Sequence, residues 1–342
     1  MHNLRFLGVI LAFCTPSFAF SSSGSAGCIP TPSKVSVCEG DVPFSYQGSE
    51  YKTHYQLFGD LESRFTPLVV LHGGPGLSYD YLLPFANLTE DYGIPVILYD
   101  QIGNGRSSHV PTAPVEFWTI KLFMDELSNL INYFNIQNDF SLAGHSWGTI
   151  LGSEFVVQRQ PKGLQHLILS DGLASNELWE ESVGQLLSEF PDDVQHGFEV
   201  GLDDPPAFES AMAKFYAVHG IRLKTLPAAY LATIDWLFGP KADQTVAKLS
   251  GVITANWTII DRIPQIKTKT LVINGKYDQS QDFVIGPFVE KLPNNEWVKF
   301  NNSSHMPFWE EPAAYLSKVG DFLTEDSISI SGSVHVKIDT IV

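Results

Sequence analysis

The sequence predicts an α/β chain: a doubly wound, mostly parallel sheet with an inserted helical cap. Three observations carry that expectation. Short, continuously apolar runs alternate with longer amphipathic stretches along most of the 342 residues. Hydrophobic residues make up 44% of the chain and charged residues 17%, a balance that suits a large packed core and rules out a disordered or fibrous protein. The alternation then fails between Gly172 and about Asn256, where helix-like segments are broken by prolines.

The apolar runs are Pro67–His72, Pro95–Asp100, Phe140–Ala143, His166–Ser170 and Thr270–Asn274, each read as a parallel strand buried on both faces. Phe123, Leu127, Leu130 and Phe134 form the stripe of a helix lying on that sheet. A second stripe, Tyr315, Leu316, Val319, Phe322 and Leu323, follows Pro312, a residue suited to a first helical turn. The segment 173–256 carries Leu178, Val183, Leu186, Phe215, Leu231 and Trp236 between Pro191, Pro205, Pro206, Pro227 and Pro240, and reads as a cap. Strands flank it on both sides, so it is expected over the carboxyl ends of the sheet, where open α/β folds bind ligands. The expected organisation is a leader 1–19, an extended arm 20–40, a core made of 41–172 and 257–325, the cap 173–256, and a tail 326–342 whose alternation resembles an edge strand.

Lys plus Arg number 21 against 38 Asp plus Glu, a net charge of −17 that repels nucleic acid and anionic membranes. The expected partner is a small molecule or short peptide, and the charge says nothing about oligomeric state. At the start, His2 and Arg5 precede the apolar run Phe6–Cys14, and Ser17-Phe18-Ala19 offers small residues for cleavage after Ala19. The run is well short of the ~20 residues that span a bilayer, so a secreted protein is expected, with no membrane attachment after cleavage. Two cysteines then remain, Cys28 and Cys38, an even pair that suggests a disulfide in an exported chain. Sequons at Asn87, Asn256, Asn301 and Asn302 fit export.

The strongest chemical signal is Gly144-His145-Ser146-Trp147-Gly148, between a predicted strand and a predicted helix. A serine on such a turn is an exposed nucleophile, and the small residues two before and two after let strand and helix pass closely. A hydroxyl needs a base and the base an orienting acid. Asp278, in the loop after the strand at 270–274, and His305, before the last helix, supply them in the order Ser, Asp, His; Asp171 is the rival acid. His72-Gly73-Gly74-Pro75-Gly76 follows another strand, so the amide of Gly74 or Gly73, with that of Trp147, can bind an oxyanion. His54, His109, His166, His196 and His219 show no metal-ligand spacing, and neither a metal nor another cofactor is expected.

With these motifs in place, the chain resembles the proline iminopeptidase family of α/β-hydrolases. The matching pieces run in order from the His72-Gly73-Gly74-Pro75-Gly76 loop through Tyr99–Ser107, the serine turn, Gly275-Lys276-Tyr277-Asp278, and His305 with Trp309-Glu310-Glu311-Pro312. The resemblance implies an α/β-hydrolase fold, a helical cap over a Ser-His-Asp site and cleavage of an amide next to a free amino terminus. It also implies that Asp100 and Arg106 form a structural salt bridge beside the oxyanion loop. Members of the family hold the substrate ammonium with acidic residues, one directly after the triad aspartate and one in the segment leaving the cap. Here those places hold the neutral Gln279 and, in the second, the carboxylate Asp243, while Glu177, Glu180 and Glu181 early in the cap can substitute. Gln279 and Asp243 are therefore candidate substrate contacts, and Gly73 of the glycine loop and Trp236, as a stacking surface, are named beside them. The departure at Gln279 motivates the alternatives: an esterase, lactonase or specialised-metabolite hydrolase without ammonium recognition, or a ligand-binding relative without turnover.

Overall fold

The computed structural model describes residues 27–30 and 35–331, with the side chains of 27–30 and 326–331 excepted. Nine strands form one sheet in the order β1-β2-β3-β5-β4-β6-β7-β8-β9. They are β1 (Gly27–Pro30), β2 (Ser36–Tyr46), β3 (Ser49–Phe58), β4 (Leu68–Leu71), β5 (Val96–Tyr99), β6 (Phe140–His145), β7 (Leu164–Ser170), β8 (Lys269–Gly275) and β9 (Asn295–Phe300). From β5 to β9 all neighbours are parallel, while β1, β2 and β3 add an antiparallel edge. The helices are α1 (Asn87–Tyr92), α2 (Ile120–Tyr133), α3 (Trp147–Arg159), α4 (Asn176–Leu187), α5 (Asp192–Val200), α6 (Pro205–His219), α7 (Ala228–Phe238), α8 (Thr245–Lys248), α9 (Ser250–Ile253), α10 (Asp282–Lys291), α11 (Pro307–Glu310) and α12 (Pro312–Ser331). None among the described residues is long and apolar enough to cross a membrane.

The five predicted strands are β4 to β8, and β4, β5 and β6 are buried at every position because helices cover both faces. Connections leave β4 in opposite directions, to β5 on one side and, later, to β6 on the other. The crevice at such a reversal is where an open α/β sheet admits a ligand. It receives both the loop after β4 and the turn after β6. Helices α4 to α9 all fall between β7 and β8. A single antiparallel bridge, Ser175 to Thr258, with Asn176 N–H donating to Trp257 O at 2.9 Å and Ile259 N–H to Ala174 O at 3.0 Å, draws the two ends of this insertion together.

Two expectations are corrected. The folded body reaches back to β1 at Gly27 and does not start near Asp41: β2 pairs with β1 on one side and with β3 on the other, from Val37 opposite Phe58 to Tyr46 opposite Ser49. Only one face of β2 is covered, so its apolar residues are sparse and the segment reads as an arm. The stretch from Asp326 is not an edge strand as far as Ser331: α12 continues through it. Extending an existing helix by two turns needs no new nucleus, and this outweighs the local alternation. The leader 1–19, most of the arm 20–40 and residues 332–342 lie outside the described residues. So does the pairing of Cys28 with Cys38 as side chains, although their backbones are register partners in the β1–β2 ladder.

Helix α3, which follows the serine turn, is tied to the cap exit through Glu154, whose side chain is 3% exposed. It accepts from Trp257 Nε1 at 2.8 Å and from both terminal nitrogens of Arg262, at 2.9 and 2.5 Å. Burial opposes its charge, yet the hydrogen bonds from Arg262, Gln158 and Trp257 outweigh it and hold the carboxyl below the usual value of 4.5. Glu154→Ala is expected to cost about 2–3 kcal/mol by urea unfolding, less than the ~3–5 of a fully buried pair because Arg262 keeps 35% of its side chain exposed. The folded carboxyl being the stronger acid, this stability is complete above pH 4.5 and is lost as pH falls through the lower folded value. Equal unfolding midpoints for the two proteins at pH 7 would show that the tie contributes nothing.

Candidate active site

Ser146 sits between β6 and α3 with φ 54° and ψ −120°, a backbone state that non-glycine residues rarely adopt. The two glycines beside it are there for room. A Cβ on Gly144 would lie 2.2 Å from Gly148 O, and one on Gly148 2.2 Å from Leu71 O. Helix α3 therefore starts directly against β4 and β6, leaving Ser146 half-buried in the crevice and the Trp147 amide at the helix's first position. The positive end of the helix backbone faces the same point.

His305 precedes α11 and Asp278 follows β8. Nδ1 of His305 lies 2.7 Å from Asp278 Oδ1, and the two are 3% and 1% exposed. Asp278 Oδ1 also accepts from Ser280 N–H at 2.8 Å. The buried histidine of the serine turn, His145, braces His305 from behind. Gly73 N–H donates to the Tyr81 hydroxyl at 2.7 Å, Tyr81 and His145 Nδ1 are 2.8 Å apart, and His145 Nε2 is 2.7 Å from His305 O. An amide can only donate and a carbonyl can only accept, so every proton is assigned: Tyr81 donates to Nδ1 and Nε2–H donates to the carbonyl. That assignment requires neutral His145, whose pKa burial and the neighbouring His305 push well below the usual value.

The loop after β4 is fixed the same way. His72 Nε2 accepts from Gln101 N–H at 3.0 Å, so Nδ1–H donates to Gly73 O at 2.9 Å; burial lowers this imidazole's pKa to about 4. Gln101 in turn donates to His72 O and accepts from Trp147 Nε1 at 2.9 Å. Gly74 has φ +112°, where a Cβ would lie 2.5 Å from Gly76 N, so glycine is required. The Gly73 amide is engaged by Tyr81, so of the two candidate oxyanion donors in this loop the structure favours Gly74, which lines the cavity at Ser146. Arg106 bridges Asp80 at 2.7 Å and Asp100 at 3.3 Å, and Asp100, raised to about 6 by burial despite the bonds from Arg106 and Tyr79 amides, is fully buried. These three brace the loop from outside the crevice.

A cavity of about 240 Å³ opens at Ser146, bounded by Gly74 and Trp147 on the core side and by Leu173, Trp179 and Glu180 towards the cap. A neighbouring cavity of about 510 Å³ shares Asn176, Glu180 and Gly251 with it and includes Glu177.

The chain matches the model of the alpha/beta hydrolase fold over residues 66–312. A proline iminopeptidase of Levilactobacillus brevis is 33% identical to it over 290 residues, which cover 80% of this chain and 93% of that one. The chain belongs to the proline iminopeptidase family of α/β-hydrolases. A proline iminopeptidase of Clostridium botulinum is 30% identical over 306 residues, covering 85% of this chain and all of the other. Among solved structures, VinJ superposes with a TM-score of 0.75 at 35% identity, over 84% of this chain and 98% of its own. The proline iminopeptidase of Mycobacterium smegmatis gives 0.72 at 30% identity, over 85% and 99%. The protein is thus a hydrolase of this family.

The residues named as substrate contacts from the family pattern do not gather at Ser146. Gln279 is 4% exposed; Ser182 Oγ donates to its backbone carbonyl, and its side chain lies beside the half-buried Tyr216. Asp243 and Trp236 line a different cavity, of about 900 Å³, which shares no lining residue with the one at Ser146. There Asp243 pairs with His109 at 2.8 Å and Trp236 lies under Arg106. Gly73 is beside Ser146, but its amide is taken. Of the three cap glutamates, Glu180 borders the Ser146 cavity, Glu177 the adjoining one, and Glu181 holds Gln185 instead. Tyr81 and His145 carried no recognised signal; His145 is visible only as the variable residue of the serine turn. Asn87, Asn256, Asn301 and Asn302 are exposed.

Tyr81→Phe removes the one hydroxyl that satisfies both Gly73 N–H and His145 Nδ1, leaving two buried polar groups unpaired. The expected outcome is a loss of about 1–3 kcal/mol in unfolding free energy together with a lower kcat, since the loop and the base lose a shared support. Unchanged stability and turnover would show that the relay does not matter.

Proposed function

We propose that the protein is a serine peptidase that removes the amino-terminal residue from short peptides or cleaves small aminoacyl amides through an acyl-enzyme. In this reading Ser146 Oγ attacks the carbonyl carbon while His305 takes its proton, and Asp278 holds the imidazole in the required tautomer. The amides of Gly74 and Trp147 stabilise the oxyanion, and losing such a donor typically costs about 3 kcal/mol of barrier. The imidazolium then protonates the leaving amine, and water repeats the sequence to release the acid.

The observation that carries the substrate class is Glu180, a carboxylate on the border of the cavity that holds Ser146, with Asn176 Nδ2 donating to it at 2.7 Å. The rest of that cavity is mixed, with Pro75, Ile150, Leu173 and Trp179 beside the polar Asn176, Ser250 and Thr254. A small amino-terminal residue with a free ammonium group matches this combination of one apolar side, neutral hydrogen-bonding groups and a single negative edge. Glu180 is exposed and already bonded by Asn176, which supports a second reading, an esterase or lactonase on the same scaffold.

One experiment decides between them. Ser146→Ala is expected to abolish hydrolysis and labelling by a serine-directed phosphonate. Glu180→Gln is expected to raise KM for free-amine substrates about tenfold, roughly 1.4 kcal/mol, and to leave neutral acyl esters unchanged. Equal effects on both substrates, or acyl esters cleaved far better than aminoacyl amides, would defeat the peptidase reading.

Secretion belongs to the same proposal, supported by the leader 1–19, the sequons and the facing backbones of Cys28 and Cys38. Mass spectrometry of non-reduced protein from a eukaryotic secretory host is expected to give an amino terminus at Phe20, a Cys28–Cys38 linked peptide and added hexosamine. An intact Met1 with free thiols would refute it.

A further inference from the structure

This inference rests on the Ser146–His305–Asp278 reading and concerns a group that reading leaves unused. Asp171 follows β7 at φ +52° and is fully buried. Its Oδ2 accepts from Ser170 Oγ at 2.5 Å, and Ser170 Oγ accepts from the Tyr315 hydroxyl at 3.0 Å. Its Oδ1 is buried and meets no ordinary donor, and the same is true of Asp278 Oδ2. The loops that carry them meet, Asp171 N–H donating to Ile273 O at 2.7 Å and Ser280 Oγ to Gly172 O, and the two carboxyl groups act on each other directly. Each therefore supplies the missing partner of the other, provided that one proton lies between them.

Two ionised carboxylates in contact in a dry interior repel strongly, so the pair holds a proton at neutral pH. The surrounding donors decide where it sits. Asp278 Oδ1 takes two, His305 Nδ1 and Ser280 N–H, whereas Asp171 takes one hydroxyl. The negative charge is better supported on Asp278. The charged and titratable groups acting on Asp171 from the packed elements are Asp278, Glu310 of α11, Tyr315 of α12 and Tyr81, and none of these supplies a positive charge. Burial first, and Asp278 second, raise the Asp171 carboxyl well above its usual range.

We propose that Asp171 is a positioning residue of this site: a neutral acid whose O–H donates to Asp278 Oδ2 and so fixes the carboxylate that orients His305. The donors then run one way, from Tyr315 through Ser170 and Asp171 to Asp278, which is approached from the other side by His305. The pair carries a single negative charge, and the ends of β7 and β8 are locked together behind the base.

Asp171→Asn keeps an N–H donor in place of the O–H. It is expected to retain kcat within about threefold and to leave the acid limb of the kcat/KM profile where it is, because no charge has been removed. Asp171→Leu has no donor and is expected to lower kcat at least about tenfold with KM unchanged, since the fault lies in orienting the base. An ionised Asp171 would give the opposite signature: Asp171→Asn would take a negative charge from beside the imidazole and move the acid limb down by about a pH unit or more. That shift overturns the proposal, as does wild-type kcat in Asp171→Leu; should Asp171→Leu fail to fold, the Asp171→Asn profile decides. Asp278→Ala, measured in parallel, separates this from the triad reading. If it stays active while Asp171→Asn is dead, Asp171 is itself the triad acid and both readings fall. If Asp278→Ala is dead and Asp171→Leu is fully active, only the pairing falls.

Discussion

Ser146 can keep φ 54° and ψ −120° only because β6 and α3 cross where no side chain intervenes, with Gly144 against Gly148 and Gly148 against the carbonyl of Leu71. A backbone state of this kind costs on the order of 1–3 kcal/mol and survives only where its surroundings over-determine it. The surroundings here are the parallel strands β4, β6 and β7, whose full burial makes them unable to yield. Ser146 N–H donates to Ser170 O at 3.1 Å, and Ser146 O accepts from the Thr149 amide and hydroxyl. The strain is thus held by backbone bonds to the next strand and to the helix itself. Everything else at the site is placed relative to that fixed point.

A second constraint follows from the first. Crowding the strands this tightly removes water from behind the site, so each polar group there must find a protein partner. The solutions are directional chains with one possible proton assignment: Gly73 to Tyr81 to His145 to His305, and Gln101 to His72 to Gly73. A chain of this type cannot invert without leaving a buried donor facing a donor. It therefore fixes tautomers as well as positions, and it links the loop after β4 to His305 through one tyrosine hydroxyl. Rigid placement of both is what an attack on a carbonyl requires, because the donors must already point at the charge when it forms.

The five central strands are legible in the sequence because burial on both faces leaves continuous apolar runs at their centres, and the serine turn is legible because its glycines are sterically obligatory. Strand β2 is covered on one face and edge strand β9 is largely exposed, so their apolar signal is diluted and neither is found by pattern. Tyr81 is illegible for a different reason: its segment Tyr79–Ala86 is a 3-10 turn without period, and its role exists only where three distant segments meet. The cap misleads most. Helical stripes at 173–256 announce helices but not which way they face, and the expected contacts Asp243 and Trp236 turn towards His109 and Arg106 instead of Ser146.

That division has a consequence for how a charged substrate can be held. The carboxylates deep in the core are committed: Asp278 to His305, Asp80 and Asp100 to Arg106. A second cation brought to them would have to be stripped of water fully, and the loss of hydration outweighs what one shared carboxylate returns. Glu180 is on the exposed rim of α4, where its charge remains partly hydrated and an arriving ammonium keeps part of its own shell. Binding there is weaker per contact but costs little desolvation, and it leaves the apolar part of the cavity to select the side chain. In the proposed reading, charge recognition is therefore the task of the cap and chemistry the task of the sheet. The neutral Gln279, buried against Tyr216 between the two, serves as packing at their boundary and needs no carboxylate.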